Sequence, residues 1–126
     1  MEIYTSYYAK ASRMNLDDCL LVKVSNTQPD WFRHRTHVLT TDVYPDWSLI
    51  NSYKSGEISY EKFGALYTRQ ITSHTQPEFI LQEVKNLCKI HDKEKVVFLC
   101  YEKEVGTCHR LVLAEVVGKD FYRGEL

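Results

Sequence analysis

The stretch Val96-Val97-Phe98-Leu99-Cys100 is a run of five apolar residues between a charged turn and a polar loop. Its length and its β-branched and aromatic content predict a strand covered on both faces, as in a parallel sheet. Two earlier segments, Ile3 to Tyr8 and Cys19 to Val24, have a similar composition and are predicted as further strands. After the polar loop, a helix is predicted to begin near Cys108, with Thr107 as its N-cap.

Three helices are predicted in the middle of the chain, where apolar residues recur at helical spacing. The first is short, from Asp46 to Tyr53. The second runs from Ser59, a good N-cap residue, to about Ser73, and the third from Pro77 to about Ile90. We therefore predict a single α/β domain over residues 1–126. Its small parallel or mixed sheet is flanked by helices in a Rossmann-like three-layer arrangement.

Composition narrows the class of protein. The formal net charge is −1, so the basic excess that accompanies general binding to nucleic-acid backbones is missing. No segment reaches the roughly 20 apolar residues of a membrane span, and the first residues lack the pattern of a secretory signal peptide. We therefore expect a cytoplasmic protein, not bound to membranes, whose four cysteines are free thiols. Cys19 and Cys88 are expected to pack in the core.

The segment from Ser25 to Pro45 is the least regular part of the chain, and long loops inside compact domains are often functional. It carries Trp31, several basic side chains and a short stretch, His37 to Thr41, that could form a strand. One interpretation is a surface excursion whose aromatic residues close the core. The other is a functional loop whose Arg33 and Arg35 close over a ligand.

The stretch from Cys100 to Arg110 concentrates reactive side chains: two thiols, carboxylates, an imidazole and a guanidinium within eleven residues. Ligands of open α/β sheets bind at the carboxyl ends of the strands, and helix N-termini favour anions. Cys108, beside His109 at such a helix start, is expected to have a lowered pKa. Arg110 is expected to hold a phosphate or carboxylate through two hydrogen bonds.

Several alternatives stay open for this stretch. Arg110 could pair with Glu102 and only brace the loop. Phosphatase and sulfurtransferase loops also place a cysteine before an arginine. Cys100 lies too far from Arg110 in sequence for such a loop, and Cys108 lies too close to it. Cys100, Cys108, His109 and His91 could supply the ligands of a zinc site, but a structural zinc site needs close-paired ligands, and seven residues separate Cys100 from Cys108. That spacing also differs from the C-x-x-C redox motif. No metal site is therefore predicted, and the cofactor is undetermined.

The same residues resemble the domain-of-unknown-function 488 family over nearly the whole chain. Leu99-Cys100-Tyr101-Glu102 at a strand end and Cys108-His109-Arg110 at a helix start resemble its C-terminal signature. Ile3 to Tyr7 and Tyr53 to Ser59 are similar to its first strand and to a helix junction. The resemblance implies the fold and the place of the site, but no reaction. It implies that one cleft gathers Thr5, Ser6, Ser25, Cys100, Glu102, Cys108, His109 and Arg110.

Three hypotheses for the function follow. The first is binding of a phosphorylated small ligand, a nucleotide or a nucleic-acid fragment, through Thr5, Ser6, Tyr7, Ser25, Tyr101, Arg110, Arg33 and Arg35. The second is an enzyme acting on such a ligand, with Glu102 or His109 as acid–base group and Cys100 or Cys108 as nucleophile. The third is an interaction module of mobile-element origin that sequesters a protein or a signalling molecule through exposed aromatic residues. The oligomeric state stays open.

Overall fold

The computed structural model describes residues 1–126 and contains a four-stranded parallel sheet with five helices. The strands are β1 (Glu2–Tyr7), β2 (Cys19–Lys23), β3 (Lys95–Cys100) and β4 (Tyr122–Glu125), in the spatial order β2-β3-β1-β4. Every neighbouring pair is parallel, so the carboxyl ends of all four strands meet at one edge of the sheet. The predicted α/β class is confirmed, and the sheet is parallel rather than mixed.

The helices lie close to their predicted positions. They are α1 (Tyr8–Ala11), α2 (Trp47–Lys54), α3 (Tyr60–His74), α4 (Pro77–Ile90) and α5 (His109–Gly118). Ser59 caps α3 as predicted, since its hydroxyl oxygen accepts a hydrogen bond from the Lys62 amide at 3.1 Å. None of these helices has the length and apolar character needed to cross a membrane.

The two faces of the sheet are covered by different parts of the chain. Helices α3, α4 and α5 pack on one face around Ile3, Val22, Val96, Phe98, Tyr67, Ile80, Val84 and Leu113. The other face is covered by α1 and by the segment after β2, in a smaller cluster of Tyr8, Ala11, Leu16, Leu21, Phe32, Val97 and Leu99. Each large apolar side chain buried in this way contributes about 1.5–3 kcal/mol. Both clusters therefore hold the sheet in the middle of three layers.

The long segment after β2 is mainly a surface excursion that closes the second cluster. Its Phe32 is buried in that cluster, whereas the neighbouring Trp31 is about half exposed. The stretch from His37 to Thr41 is not a strand, because it forms only one bridge, between His37 and Val22. Phe32 therefore agrees with the interpretation of this segment as a surface excursion whose aromatic residues close the core.

Two further elements differ from the sequence predictions. β4 was not predicted, because Tyr122-Arg-Gly-Glu125 lacks the apolar run of the other strands. The N-cap of α5 is Cys108 rather than Thr107. Thr107 lies instead in a short 3₁₀ turn, Val105–Thr107, where its hydroxyl donates to the carbonyl oxygen of Glu104 at 2.8 Å.

Candidate functional site

A cavity of about 130 Å³ opens at the carboxyl ends of β2 and β3. Six of the predicted site residues line it: Ser25, Cys100, Tyr101, Glu102, Cys108 and His109. The remaining wall comes mainly from α2, α3 and the residues after β2, namely Asn26, Thr27, Trp47, Ile50, Tyr53, Lys54, Phe63 and Thr107. This is the edge at which parallel α/β sheets bind ligands.

The two thiols of this cavity come from opposite ends of one loop. Cys100 is the last residue of β3, and Cys108 is the N-cap of α5. Their sulfur atoms and a ring nitrogen of His109 all lie within 4.8 Å of one another. The Glu102 carboxylate oxygen Oε2 lies 3.4 Å from the Cys100 sulfur and 3.3 Å from the Cys108 sulfur. The sheet and the helix therefore bring both thiols to one carboxylate and one imidazole.

The orientation of the His109 ring is set by the main chain of β2's end. Its Nε2 lies 2.6 Å from the carbonyl oxygen of Val24. A carbonyl oxygen only accepts hydrogen bonds, so Nε2 carries a hydrogen. The other ring nitrogen, Nδ1, lies 3.6 Å from the Cys100 sulfur and 3.9 Å from the Cys108 sulfur. In the neutral ring, Nδ1 carries the free lone pair. The Cys100 sulfur lies beside both ring nitrogens, 3.6 Å from Nδ1 and 3.7 Å from Nε2, whereas the Cys108 sulfur approaches the ring at Nδ1.

The pKa values of the two thiols diverge. Burial raises the pKa of Cys108, but hydrogen bonds from Cys100 and His109 outweigh it and lower that pKa to about 5. Burial raises the pKa of Cys100 well above its usual range, and the hydrogen bond to Cys108 adds to this increase. Cys108 is therefore the more readily ionised thiol of the pair, and Cys100 stays protonated at neutral pH. The lowered pKa agrees with the direction predicted for a cysteine at a helix start.

Glu102 is ionised at neutral pH and has a cation beside it. Burial raises the pKa of Glu102, but hydrogen bonds from its backbone and from the two thiols lower it on balance. The Lys54 ammonium lies 3.7 Å from the carboxylate oxygen Oε1 at the exposed rim. Lys54 is the one lysine or arginine that lines the cavity.

Arg110 braces the site from behind. Its guanidinium is fully buried and pairs with the Glu125 carboxylate of β4, with Nη2 2.6 Å from Oε2. Nη1 donates to the carbonyl oxygen of Glu102 at 2.6 Å, and Nη2 to that of Lys103 at 3.3 Å. The alternative pairing with the Glu102 carboxylate is replaced by one with Glu125. Arg110 does not line the cavity, so it is not placed for the predicted anion contact.

A comparison with known protein families identifies the family of this chain. The family model DUF488-N3a, described as "Active DUF488-N3 subclade", matches residues 3–120. The chain belongs to the DUF488-N3a family. The match includes β1 to α5 and every residue that lines the cavity, so it confirms the family suggested by the C-terminal motifs. The comparisons with curated proteins and with solved structures found no match.

Several predicted contacts of this DUF488-N3a protein do not reach the cavity. Thr5 and Ser6 are neighbours in β1, so their side chains point to opposite faces of the sheet. Thr5 shares a hydrogen bond of 2.6 Å with the Tyr122 hydroxyl, and Tyr7 lies under the Arg110 guanidinium, with 6.0 Å between Cζ and the ring centroid. One cleft therefore does not gather all of the implied residues.

The arginines of the long segment are also away from the site. Arg33 is exposed and lies outside the cavity lining. Arg35 lines a separate cavity with Cys19, His37 and His91, at the amino end of β2. The prediction that this pair closes over the ligand is wrong for the present arrangement, because the segment crosses to the opposite edge of the sheet.

The aromatic wall of the DUF488-N3a cavity was missed, although the sequence of α2 carries a signal for it. Trp47, Ile50 and Lys54 follow one another at intervals of three and four residues, which places them on one face of a helix. Trp47 is 59% exposed, whereas tryptophan side chains are highly buried on average.

Proposed function

We propose that the protein is a cysteine-dependent enzyme that acts on a small, nucleotide-type ligand bound in this cavity. One observation carries the proposal: His109 is fixed through Nε2 on the Val24 carbonyl, while its Nδ1 lies 3.9 Å from the Cys108 sulfur. A thiol, an adjacent and oriented base and an open cavity in front of them make up the arrangement used in nucleophilic catalysis. The description of the family as an active subclade supports catalysis over binding alone.

Cys108 is the nucleophile in this proposal and Cys100 its hydrogen-bond donor. Three features favour Cys108. It caps a ten-residue helix, whose dipole stabilises a negative charge at that end. Its pKa is lowered to about 5, whereas that of Cys100 is raised. Burial lowers the pKa of Arg110, but the hydrogen bond with Glu125 and then the charge of Cys108 raise it on balance, so the buried guanidinium and the thiolate stabilise each other.

The reaction is a two-step displacement at an electrophilic carbon of the ligand. The Cys108 sulfur forms a bond to that carbon, and the bond from the carbon to its leaving group breaks. The leaving group takes the proton that His109 had accepted from the thiol. Water then adds to the carbon and returns a proton to His109, while the carbon–sulfur bond breaks and its electron pair returns to sulfur.

The cavity walls support a ligand that combines an aromatic ring with a phosphate. The side chains of Trp47, Tyr53 and Tyr101 line one cavity and offer faces on which a base can stack. Tyr101 is positioned by Thr27, whose hydroxyl donates to the Tyr101 hydroxyl oxygen at 3.1 Å. Lys54, at the rim, takes the role that Arg110 had in the sequence prediction and binds the phosphate.

The test is a panel of nucleosides, nucleotides and dinucleotides incubated with the wild type, Cys108→Ser and Cys88→Ala. Cys88 lies on the buried face of α4 and outside the cavity, so its variant is the matched control. We expect a panel member to be converted by the wild type and the control but not by Cys108→Ser, with a trapped adduct on Cys108 in mass spectrometry. Conversion that survives in Cys108→Ser, or a panel in which no member binds or reacts, overturns the proposal.

A further inference from the structure

We infer that Cys100, Cys108 and His109 form a binding site for one zinc ion whose fourth coordination position opens into the cavity. The site rests on the geometry of the three side chains alone. Its consequence, that zinc blocks the Cys108 sulfur as a nucleophile, rests on the proposed function. Sulfur and imidazole ligands favour zinc over magnesium or calcium, which prefer oxygen.

The nitrogen–sulfur distances of the site approach those of a tetrahedral ion. Zinc–sulfur bonds of about 2.3 Å and zinc–nitrogen bonds of about 2.0 Å place sulfur and nitrogen roughly 3.5 Å apart in a tetrahedron. The His109 Nδ1 atom lies 3.6 Å from the Cys100 sulfur and 3.9 Å from the Cys108 sulfur. The two nitrogen–sulfur distances are therefore within a few tenths of an ångström of that spacing, and all three ligand atoms lie within 4.8 Å of one another.

The surroundings of His109 are those of a metal ligand. A histidine that binds a metal through one nitrogen normally donates the hydrogen of the other to a carbonyl or carboxylate oxygen. His109 does so through Nε2 and the Val24 carbonyl, at 2.6 Å. The Val24 amide is in turn held by the Leu99 carbonyl oxygen at 3.1 Å. The ring is thus oriented before any ion binds. The spacing of the cysteines along the chain gave no sign of this orientation.

Charge and burial also favour a zinc ion here. Both cysteines are 1% exposed and His109 is 7% exposed, so an ion would be largely shielded from water. Two thiolates neutralise the two positive charges, and binding releases the proton that Cys100 holds. Three protein ligands that all line the cavity leave a position for water or a ligand. The Glu102 carboxylate, 3.3 and 3.4 Å from the two sulfurs, is placed to accept a proton from that water.

The test is a titration of the reduced protein with Co²⁺, which occupies zinc sites and has visible and near-ultraviolet absorption. We expect one equivalent to give the bands of a tetrahedral ion with a thiolate-to-cobalt charge-transfer band, and Zn²⁺ to displace it. Cys100→Ser, Cys108→Ser and His109→Gln are each expected to weaken binding at least 10-fold, whereas Cys88→Ala binds as the wild type does. A second readout needs no variant: zinc slows the alkylation of Cys108 by iodoacetamide, and a chelator restores the rate.

The results separate this inference from the proposed function. If Co²⁺ gives no charge-transfer band, or if Cys100→Ser and Cys108→Ser both bind Co²⁺ as tightly as the wild type, the zinc site is refuted. The enzyme proposal is untouched by that result, because it is tested without metal. Conversely, the protein could bind the metal and still convert nucleotides without Cys108. That result would support the zinc site but not its inhibitory role.

Discussion

The Arg110 guanidinium and the Glu125 carboxylate form a two-point ion pair, with Nε 3.2 Å from Oε1 and Nη2 2.6 Å from Oε2. Arg110 lies in the first turn of α5 and Glu125 ends β4. The same guanidinium holds two carbonyl oxygens of the loop after β3, those of Glu102 and Lys103. The last strand therefore fixes the loop that separates the two thiols.

Glu125→Gln is expected to lower the free energy of unfolding by about 3 kcal/mol, because it leaves the charge of Arg110 buried without a partner. The side chain of Arg110 is 0% exposed and that of Glu125 is 23% exposed. Urea unfolding at neutral pH measures the change. Asp18→Asn is the control: it removes an exposed pair with Lys95 at 3.5 Å and should cost less than about 1 kcal/mol. Equal losses in both variants would show that the buried pair has no special weight.

The alkylation rate of Cys108 is expected to rise with pH around a midpoint of about 5, where its thiolate forms. A free cysteine has its midpoint at pH 9.0. His109→Gln should move the midpoint upward, because it removes the ring nitrogen that faces the sulfur. Iodoacetamide labelling of metal-free protein, followed by mass spectrometry of the Cys108 peptide, gives the profile. A wild-type midpoint above pH 8 is incompatible with the predicted thiolate.

The same thiol links stability to pH. Its folded pKa, about 5, lies below the 9.0 of a free cysteine, so between these values the unfolded chain binds more protons than the folded one. Stability from Cys108 is thus present above pH 9 and is lost as the pH falls through 5. The stability difference between the wild type and Cys108→Ser should grow with pH in this window, by at most about 1.4 kcal/mol per unit.

Urea unfolding in the presence of a reductant, at several pH values from 5 to 9, measures this difference. Cys88→Ser serves as the reference, because burial raises the pKa of Cys88 and its contribution stays constant below pH 9. Parallel curves for the wild type and Cys108→Ser would mean that the Cys108 thiol titrates as it does in the unfolded chain.

Lys54→Met is expected to weaken the binding of a nucleoside monophosphate about 10-fold, the loss of roughly 1.4 kcal/mol, and to leave the parent nucleoside unaffected. The reason is that Lys54 is the lysine of the cavity rim, beside Glu102. Calorimetric titration of both ligands against both proteins gives the comparison. Lys62→Met, on the exposed side of α3, is the matched control. The same loss of affinity for nucleoside and nucleotide would assign Lys54 a structural role instead.

The parts of the fold that the sequence predicts are those with a local signal. β1, β2 and β3 are apolar or β-branched runs, and α3 and α4 have a capping serine and a first-turn proline. β4 has no such signal, since its strand is formed by pairing with β1, from Ile3 to Thr5. The Leu126 amide continues that pairing by donating to the Thr5 carbonyl oxygen at 2.9 Å. Contacts between the first and the last strand are invisible in a local pattern.

The candidate site divides in the same way. Cys100, Glu102, Cys108 and His109 are close in sequence, and the strand-loop-helix order alone was enough to predict that they share a site. The partner of Arg110 depends on β4. Arg110 pairs with Glu125, fifteen residues away in sequence, instead of the predicted phosphate. The aromatic wall depends on how α2 packs against α3, which is a tertiary outcome.

The hydrogen bond from His109 to the Val24 carbonyl has a consequence for how the protein tolerates mutation. Its acceptor is a main-chain atom, so exchanging the side chain of residue 24 leaves the acceptor in place. The pairing of β2 with β3 therefore determines which nitrogen of His109 carries the hydrogen, and no single side chain does so. Only a slip of β2 along β3 would release it, and such a slip would also break the sheet register.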